Sequence, residues 1–276
     1  MGKVTLVLSG GGLRGLAHIG VLKAIHSLGI PIHEYIGTSM GSLISALAAG
    51  GMDILEMERR ALSLRARDIL DFDPAGLFVR GFRAIALHRG KKLHHYIENI
   101  VPIDSFKLLD KPLLVNSVDL TRGEEIFWGS EGLDDIPVHE AVYSSVALPG
   151  IFPPMKSGDA YYVDGGIGTN LPVHMARRRN ADLIIAVNLG MSLLGGPLDP
   201  VEPRGIIDMI LQSSGIMMRR ILQLQLREFY EYPLILIEPH SSTRRMFDFD
   251  ETGSSMQAGE RAALNVLKDH PLLSLI

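Results

Sequence analysis

Short apolar runs alternate with amphipathic stretches over the N-terminal part of the chain. Residues 4–8 form such a run, which is typical of a strand in a parallel sheet that is covered on both faces, and a second strand is predicted around residues 34–36. The segment after each run carries apolar residues at helical spacing: Ala17, Val21, Ala24, Ile25 and Leu28 in the first segment, and Leu43, Ile44, Leu47 and Ala48 in the second. Strand and helix therefore alternate, which predicts a right-handed βαβ unit.

Three further runs rich in apolar residues predict additional parallel strands, at residues 112–120, 181–189 and 233–238. The segment EEIFWG, residues 124–129, follows the turn signal TRG and predicts an antiparallel return. This order favours an α/β fold with a mostly parallel central sheet and helices on both faces. Neither a linker nor a repeat interrupts the sequence, so we expect one domain over residues 1–276.

A glycine-rich turn separates the first predicted strand from its helix. Gly10, Gly12 and Gly15 have the spacing G-x-G-x-x-G of a dinucleotide site. The same turn can equally bind an oxyanion, because its backbone N–H groups and the positive end of the helix dipole both attract negative charge. The spacing alone leaves both interpretations open.

The turn after the second predicted strand separates these two interpretations. A dinucleotide site requires an acidic residue there to bind a ribose hydroxyl, but the sequence continues as GTSMGS, residues 37–42. Gly37, Ser39 and Gly41 form the pattern G-x-S-x-G, in which small flanking residues permit a strained turn that exposes a serine hydroxyl. Adjacent parallel strands end at the same sheet edge, so this predicts a serine nucleophile beside oxyanion donors.

A serine nucleophile needs a base, and the sequence offers two kinds of candidate. Three histidines, His174, His240 and His270, stand in the order that a Ser-Asp-His triad requires, although none has a distinctive setting. The other candidate is Asp164 in AYYVDGGIGTNLPV, which follows a β-rich segment and precedes two glycines. An ordinary Asp-Gly turn is the competing explanation for that aspartate.

Four sequence blocks in this order carry a family resemblance. The blocks SGGGLRGLAHIGVL, GTSMGS, SSVALPGIFPP at residues 144–154 and DGGIGTNLPV resemble the signature blocks of the patatin-like phospholipases, specifically their compact bacterial members. The resemblance implies a patatin-like three-layer fold and a lipid acyl hydrolase that acts on a lipid ester through a Ser-Asp dyad. One departure is Ser9, which precedes the glycines where plant patatins carry an acid; we expect little effect because the donors are backbone groups.

The resemblance assigns roles to individual residues. Ser39 corresponds to the nucleophile and Asp164 to the aspartate of the dyad. The oxyanion hole corresponds to Gly10, Gly11 and Gly12, with Arg14 at the basic position of that loop and Met40 as a further N–H donor. A carboxylate can accept the serine proton directly if burial raises its pKa toward the working pH, so a dyad needs no histidine.

Charge and composition exclude some classes of function. The formal net charge of −4 argues against a general nucleic-acid binder. The absence of cysteine excludes disulfides, a cysteine nucleophile and thiolate metal sites. No metal-ligand pattern is visible, and we expect neither a metal nor a cofactor. The sequence has no signal-peptide pattern and no long apolar run, which favours a cytoplasmic enzyme. Peripheral contact with a membrane is an option. The oligomeric state is left open.

Two segments each have two interpretations. Residues 76–97 combine Phe78, Phe82 and Ile85 with several cations and no acidic residue, as a lid or membrane-docking segment would, although a core-packed helix with a solvated basic face is the favoured interpretation. Residues 216–229, with Met217 and Leu222, are either core or a surface for acyl chains or a second subunit.

Three functions therefore follow from the sequence. The first is a Ser-Asp hydrolase of phospholipids or lysophospholipids. The second is a Ser-Asp-His esterase. The third is a non-catalytic dinucleotide- or lipid-binding module, which the combination of an elbow and a dyad candidate disfavours.

Overall fold

The computed structural model describes residues 2–81, 84–130, 133–190, 205–229, 232–240 and 249–276. The strands are β1 Val4–Leu8, β2 Glu34–Thr38, β3 Leu113–Asp119, β4 Glu124–Trp128, β5 Met155–Ser157, β6 Ala160–Asp164, β7 Leu183–Val187 and β8 Leu234–Ile237. The α-helices are α1 Ala17–Ser27, α2 Met40–Ala49, α3 Ile54–Ser63, α4 Ala66–Ile69, α5 Pro74–Arg80, α6 Lys91–Ile100, α7 Val138–Val146, α8 Val173–Arg178, α9 Ile206–Glu228 and α10 Thr252–Leu267.

The strands form a single mixed sheet in the order β5-β6-β3-β2-β1-β7-β8, and β4 also pairs with β3. The pairs from β3 through β2, β1 and β7 to β8 are all parallel. Antiparallel pairing is confined to the other end, where β4 and β6 both pair with β3 and β5 pairs with β6. The predictions of a mostly parallel sheet and of an antiparallel return at residues 124–129 are therefore confirmed.

Helices cover both faces of the sheet, as predicted. Alternate strand residues enter two separate apolar clusters, because successive side chains of a strand point to opposite faces. Leu6 and Leu8 join the cluster that contains α1, α2 and α10, whereas Val7 joins the cluster that contains α8 and α9. The result is a three-layer arrangement in which β1 is buried along its whole length.

The strand registers bring three turns to one edge of the sheet. Leu8 at the end of β1 pairs with Gly37 of β2, and Thr38 pairs with Asn116 of β3, so the turns after β1 and β2 lie side by side. The antiparallel β6 ends on the same strand, where Asp164 pairs with Ser117 of β3. The aspartate thus reaches the serine turn from the opposite chain direction.

The favoured prediction for residues 76–97 holds in part, because Leu93 and Ile97 of α6 are buried in the core. The side chains of Phe78 and Ile85 are 91% and 62% exposed, so the prediction that they pack in the core is wrong; Phe82 lies outside the described residues. In α9, Leu222 is buried as predicted for a core helix, but Met217 is 59% exposed. No helix in the described part of the chain is both long enough and apolar enough to cross a bilayer.

Candidate active site

Ser39 occupies a sharp turn between β2 and α2. Its backbone has φ 53° and ψ −127°, a conformation that costs energy for any residue with a side chain. The flanking glycines make room for the turn. A Cβ on Gly37 would lie 2.5 Å from the Gly41 carbonyl oxygen, and a Cβ on Gly41 would lie 2.3 Å from the Leu8 carbonyl oxygen. The G-x-S-x-G pattern thus folds as a nucleophile elbow that presents Ser39 at the sheet edge.

Asp164 lies beside this elbow at the end of β6 and is 4% exposed. Burial raises the pKa of its carboxyl to about 6, against the opposing effects of hydrogen bonds from the Ser39 side chain and from the Gly166 backbone N–H. The Gly166 N–H donates to Asp164 Oδ1 at 2.8 Å. The structure therefore brings together the serine and the aspartate that the sequence analysis selected.

The glycine loop packs directly against the elbow. A Cβ on Gly10 would lie 2.9 Å from Ser39 Cβ, and the Gly10 N–H donates to Asn170 Oδ1 at 3.1 Å. Among the described residues, the backbone N–H groups of Gly11, Gly12 and Met40 have no hydrogen-bond acceptor. These three N–H groups are available to an anion, whereas that of Gly10 is already engaged.

Arg14 supports the loop from within the protein. Its Nε donates to the Gly11 carbonyl oxygen at 3.4 Å, and burial lowers the pKa of its guanidinium. The Gly11 carbonyl and the Gly12 N–H belong to one trans peptide plane and point in opposite directions. A cation at the carbonyl therefore orients the Gly12 N–H away from Arg14 and strengthens it as a donor.

A buried histidine anchors the start of the same loop. His18 Nε2 donates to the Ser9 carbonyl oxygen at 2.8 Å, and burial lowers the pKa of His18 to about 4, although that hydrogen bond raises it. The Ser9 hydroxyl oxygen accepts from the Leu189 N–H at 2.8 Å. Ser9, which departs from the plant pattern, thus connects the loop to the end of β7.

Three polar side chains that the sequence analysis did not assign hold these turns together. Ser145 Oγ on α7 accepts from the Ser39 N–H at 2.8 Å and donates to the Asn116 carbonyl oxygen at 2.6 Å. Asn116 Nδ2 donates to Thr38 Oγ1 at 3.1 Å and to the Thr169 carbonyl oxygen at 2.7 Å. Asn170 is the third, through Gly10. Ser145 lies within the block SSVALPGIFPP and Asn170 within DGGIGTNLPV, so two of the three stood in blocks that the sequence had already singled out.

The three candidate histidines of a triad lie elsewhere. His174 on α8 faces Glu125 of β4, with Nε2 3.5 Å from Glu125 Oε2, and burial lowers its pKa. His270 caps the C-terminal 3₁₀ turn by accepting the Leu272 N–H, and His240 is exposed. Within the described residues, none of the three forms a hydrogen bond with Ser39 or Asp164.

Comparison with known proteins decides the family. The patatin-like phospholipase family profile matches residues 6–177, which include the glycine loop, the elbow and Asp164. The chain belongs to the patatin-like phospholipase family. Among solved structures, VipD from Legionella pneumophila superposes on this fold with a TM-score of 0.56 at 16% identity, over 98% of this chain and 67% of that chain.

Curated relatives extend this patatin-like similarity beyond the core blocks. An uncharacterized NTE family protein of Mycobacterium tuberculosis is 28% identical over 282 residues, covering 96% of this chain and 46% of its own length. Lysophospholipase NTE1 of Debaryomyces hansenii is 31% identical over 200 residues, covering 68% of this chain and 12% of its own length. The chain thus spans about half the length of the mycobacterial relative.

Proposed function

We propose that this patatin-like protein is a serine acyl hydrolase that cleaves carboxylic ester bonds of phospholipids or lysophospholipids. Ser39 is the nucleophile and Asp164 is its base. The observation that carries the proposal is the contact between a strained elbow serine and a buried carboxyl whose pKa burial raises to about 6. Such a carboxyl is ionised at neutral pH, yet it is a stronger base than an ordinary aspartate.

The reaction begins when Ser39 Oγ attacks the ester carbonyl while Asp164 accepts the hydroxyl proton. Asp164 then returns this proton to the leaving alcohol, which leaves an acyl-enzyme on Ser39. A water molecule next attacks the acyl group, with Asp164 again accepting and then returning one proton. The protonation state of the enzyme is therefore the same before and after each cycle.

The negative charge of the tetrahedral intermediate requires donors that are already in place. We assign this role to the N–H groups of Gly11, Gly12 and Met40, which have no acceptor among the described residues. Met40 is the first residue of α2, where the helix dipole also favours an anion. Gly10 donates to Asn170, so its role in the oxyanion hole is to bring the loop against Ser39.

Two lines support a lipid ester as the substrate. One is membership of the phospholipase family together with the similarity to a lysophospholipase. The other is the exposed apolar surface of α9. Met217 is exposed, and the neighbouring Met218 Cε lies 3.4 Å from the Cβ position of Gly166, two residues after Asp164. An apolar helix face beside the dyad suits peripheral contact with a lipid surface.

The test of the proposal is covalent labelling of the folded protein. Wild type and the variants Ser39→Ala, Asp164→Asn, His174→Ala, His240→Ala and His270→Ala are treated with a fluorophosphonate, and intact mass and peptide mapping locate the adduct. We expect one adduct on Ser39 that requires Asp164 and does not require His174. Ser45→Ala is the matched control, because Ser45 is a buried serine of the same helix α2.

Two outcomes would contradict the proposal. Labelling that depends on His174, His240 or His270 would indicate a Ser-Asp-His esterase. Absence of labelling in folded wild type, with and without detergent, would favour a binding module. A positive result leads to a panel of phospholipids, lysophospholipids and neutral esters, which identifies the substrate class.

A further inference from the structure

Two histidines and a glutamate converge where α6 packs against α7. His94 Nε2 lies 3.1 Å from Glu140 Oε1, and His139 Nε2 lies 3.7 Å from the same oxygen. One donor atom from each of the three residues lies within 4.8 Å of the other two. Their side chains are 13–34% exposed, so an ion from solvent can reach them. None of the three belongs to the acyl-transfer machinery described above.

A fourth residue orients His139 for ligation. Asp104 Oδ1 lies 2.8 Å from His139 Nδ1 and also accepts the His139 backbone N–H at 3.0 Å. A carboxylate at Nδ1 keeps the proton on that nitrogen and leaves Nε2 with a free lone pair, which faces Glu140. Metal-ligating histidines in proteins are oriented by carboxylates in this way.

The chemistry and spacing of the donors match a particular class of metal ion. Two imidazoles and one carboxylate form a ligand set of zinc sites that keep a fourth position for water. Metal–ligand bonds of about 2.0–2.2 Å place the donors of a tetrahedral site roughly 3.3 Å apart. The distances of 3.1 and 3.7 Å to Glu140 Oε1 lie close to this value. Glu140 stands in the first turn of α7, so its carboxylate lies near the positive end of the helix dipole.

We propose that His94, His139 and Glu140 form a binding site for one zinc ion, with Asp104 as the residue that orients His139. The ion bridges α6 and α7. Helix α7 also carries Ser145, which accepts the Ser39 N–H, so the site fixes the helix that supports the elbow. From the sequence, no metal site was expected. This site has no visible ligand pattern because 45 residues separate His94 from His139 along the chain.

Zinc binding itself is the measurement that tests the site. Chelator-treated protein is titrated with Zn²⁺ by calorimetry at pH 7.5, and equilibrium dialysis gives the stoichiometry. We expect one Zn²⁺ per chain in wild type and at least about tenfold weaker binding in His94→Ala and in Glu140→Gln. Asp104→Asn, which leaves all three ligands in place, weakens binding by about tenfold or more. Zn²⁺ raises the melting temperature of wild type and not that of His94→Ala.

His95→Ala is the matched control. His95 follows His94 on the same helix but faces Glu98, with Nδ1 3.4 Å from Glu98 Oε2 and a side chain that is 76% exposed. This variant retains wild-type zinc affinity if the site is the one proposed. Equal binding by His94→Ala and wild type, or a loss in His95→Ala as large as in His94→Ala, would overturn the assignment. So would a wild type that binds no Zn²⁺. None of these readouts depends on hydrolase activity.

Discussion

Two acid–base pairs differ in their surroundings: one contains Asp164, the last residue of β6, and the other contains His174, ten residues later on α8. Asp164 is buried against the elbow, and desolvation raises the pKa of its carboxyl to about 6. His174 on α8 faces Glu125 of β4, and desolvation lowers the pKa of its imidazole. Burial thus makes the carboxylate a better base and the imidazole a poorer one.

The second difference between the pairs is what each one touches. Asp164 interacts with Ser39, whereas His174 contacts the Phe127 ring and Gln225 of α9. Both residues satisfy the order of a Ser-Asp-His triad along the chain, but only Asp164 reaches the serine. The proposed assignment of Asp164 as the base therefore rests on its contact with Ser39, and not on its position in the sequence.

Substitution of Asp164 and of His174 has the largest expected difference in effect on kcat. In Asp164→Asn, kcat for a soluble ester falls by about 10³-fold or more, because the variant side chain cannot accept the serine proton. In His174→Ala, kcat stays within about threefold of wild type, since the imidazole makes no contact with Ser39. Initial rates on a short-chain ester, with circular dichroism as the folding control, measure both. Equal losses in the two variants would contradict the assignment of Asp164.

The support of the elbow is tested by two adjacent buried serines. Ser145→Ala removes the acceptor of the Ser39 N–H, and we expect kcat to fall by about 10–100-fold with KM nearly unchanged, because the nucleophile is displaced. Ser144→Ala is the matched control. Ser144 Oγ donates to the Ala141 carbonyl oxygen at 2.7 Å and has no hydrogen bond to Ser39.

Both serine substitutions remove a buried hydroxyl, so each lowers the free energy of unfolding by about 1–2 kcal/mol. Stability is measured by urea unfolding alongside the rates. A loss of kcat in Ser144→Ala as large as that in Ser145→Ala would show that the effect on catalysis follows from stability alone.

The pH dependence of the reaction reports the pKa of the buried carboxyl. Asp164 must be ionised to accept a proton, and its pKa is about 6. We therefore expect kcat/KM for a soluble ester to be about tenfold lower at pH 5 than on the plateau that begins above pH 7. A profile that is flat between pH 5 and 7 would exclude Asp164 as a base with this pKa.

The contribution of Asp164 to the free energy of unfolding falls as pH rises, whereas kcat/KM rises. Because folding raises the pKa of Asp164 above its ordinary value, the protonated form is favoured in the folded protein, and this contribution is lost as pH rises through about 6. Asp164→Asn lacks this dependence. The stability of the variant minus that of wild type is therefore larger at pH 8 than at pH 4. Thermal unfolding of both proteins at the two pH values measures this difference.

The smallest expected effect concerns lipid contact. Met217→Asp lowers hydrolysis of phospholipid vesicles by about fivefold, because it removes roughly 1 kcal/mol of apolar burial at the interface, and leaves hydrolysis of a soluble ester unchanged. Leu55→Asp is the matched control, since Leu55 is 68% exposed on α3. Equal effects of the two substitutions on vesicle hydrolysis would show that α9 is not part of the surface that contacts the lipid.

Local features of this protein follow from the sequence alone. The apolar runs and helical stripes predict the βαβ unit, and Gly37, Ser39 and Gly41 predict the elbow. Adjacent residues determine backbone conformation in such turns, because the steric limits on each turn act within a few positions. The four ordered blocks likewise indicated the patatin-like family, and they selected Asp164 for the proposed dyad.

Contacts between distant segments were decided only by the tertiary structure. Antiparallel pairing of β6 with β3 brings Asp164 to Ser39, and the packing of α7 brings Ser145 to the Ser39 N–H. The same packing gathers His94 and His139, which no local pattern connects. Strand register and helix packing depend on the whole core, so hydrogen bonds across 53 to 180 residues have no signature in any short stretch of sequence.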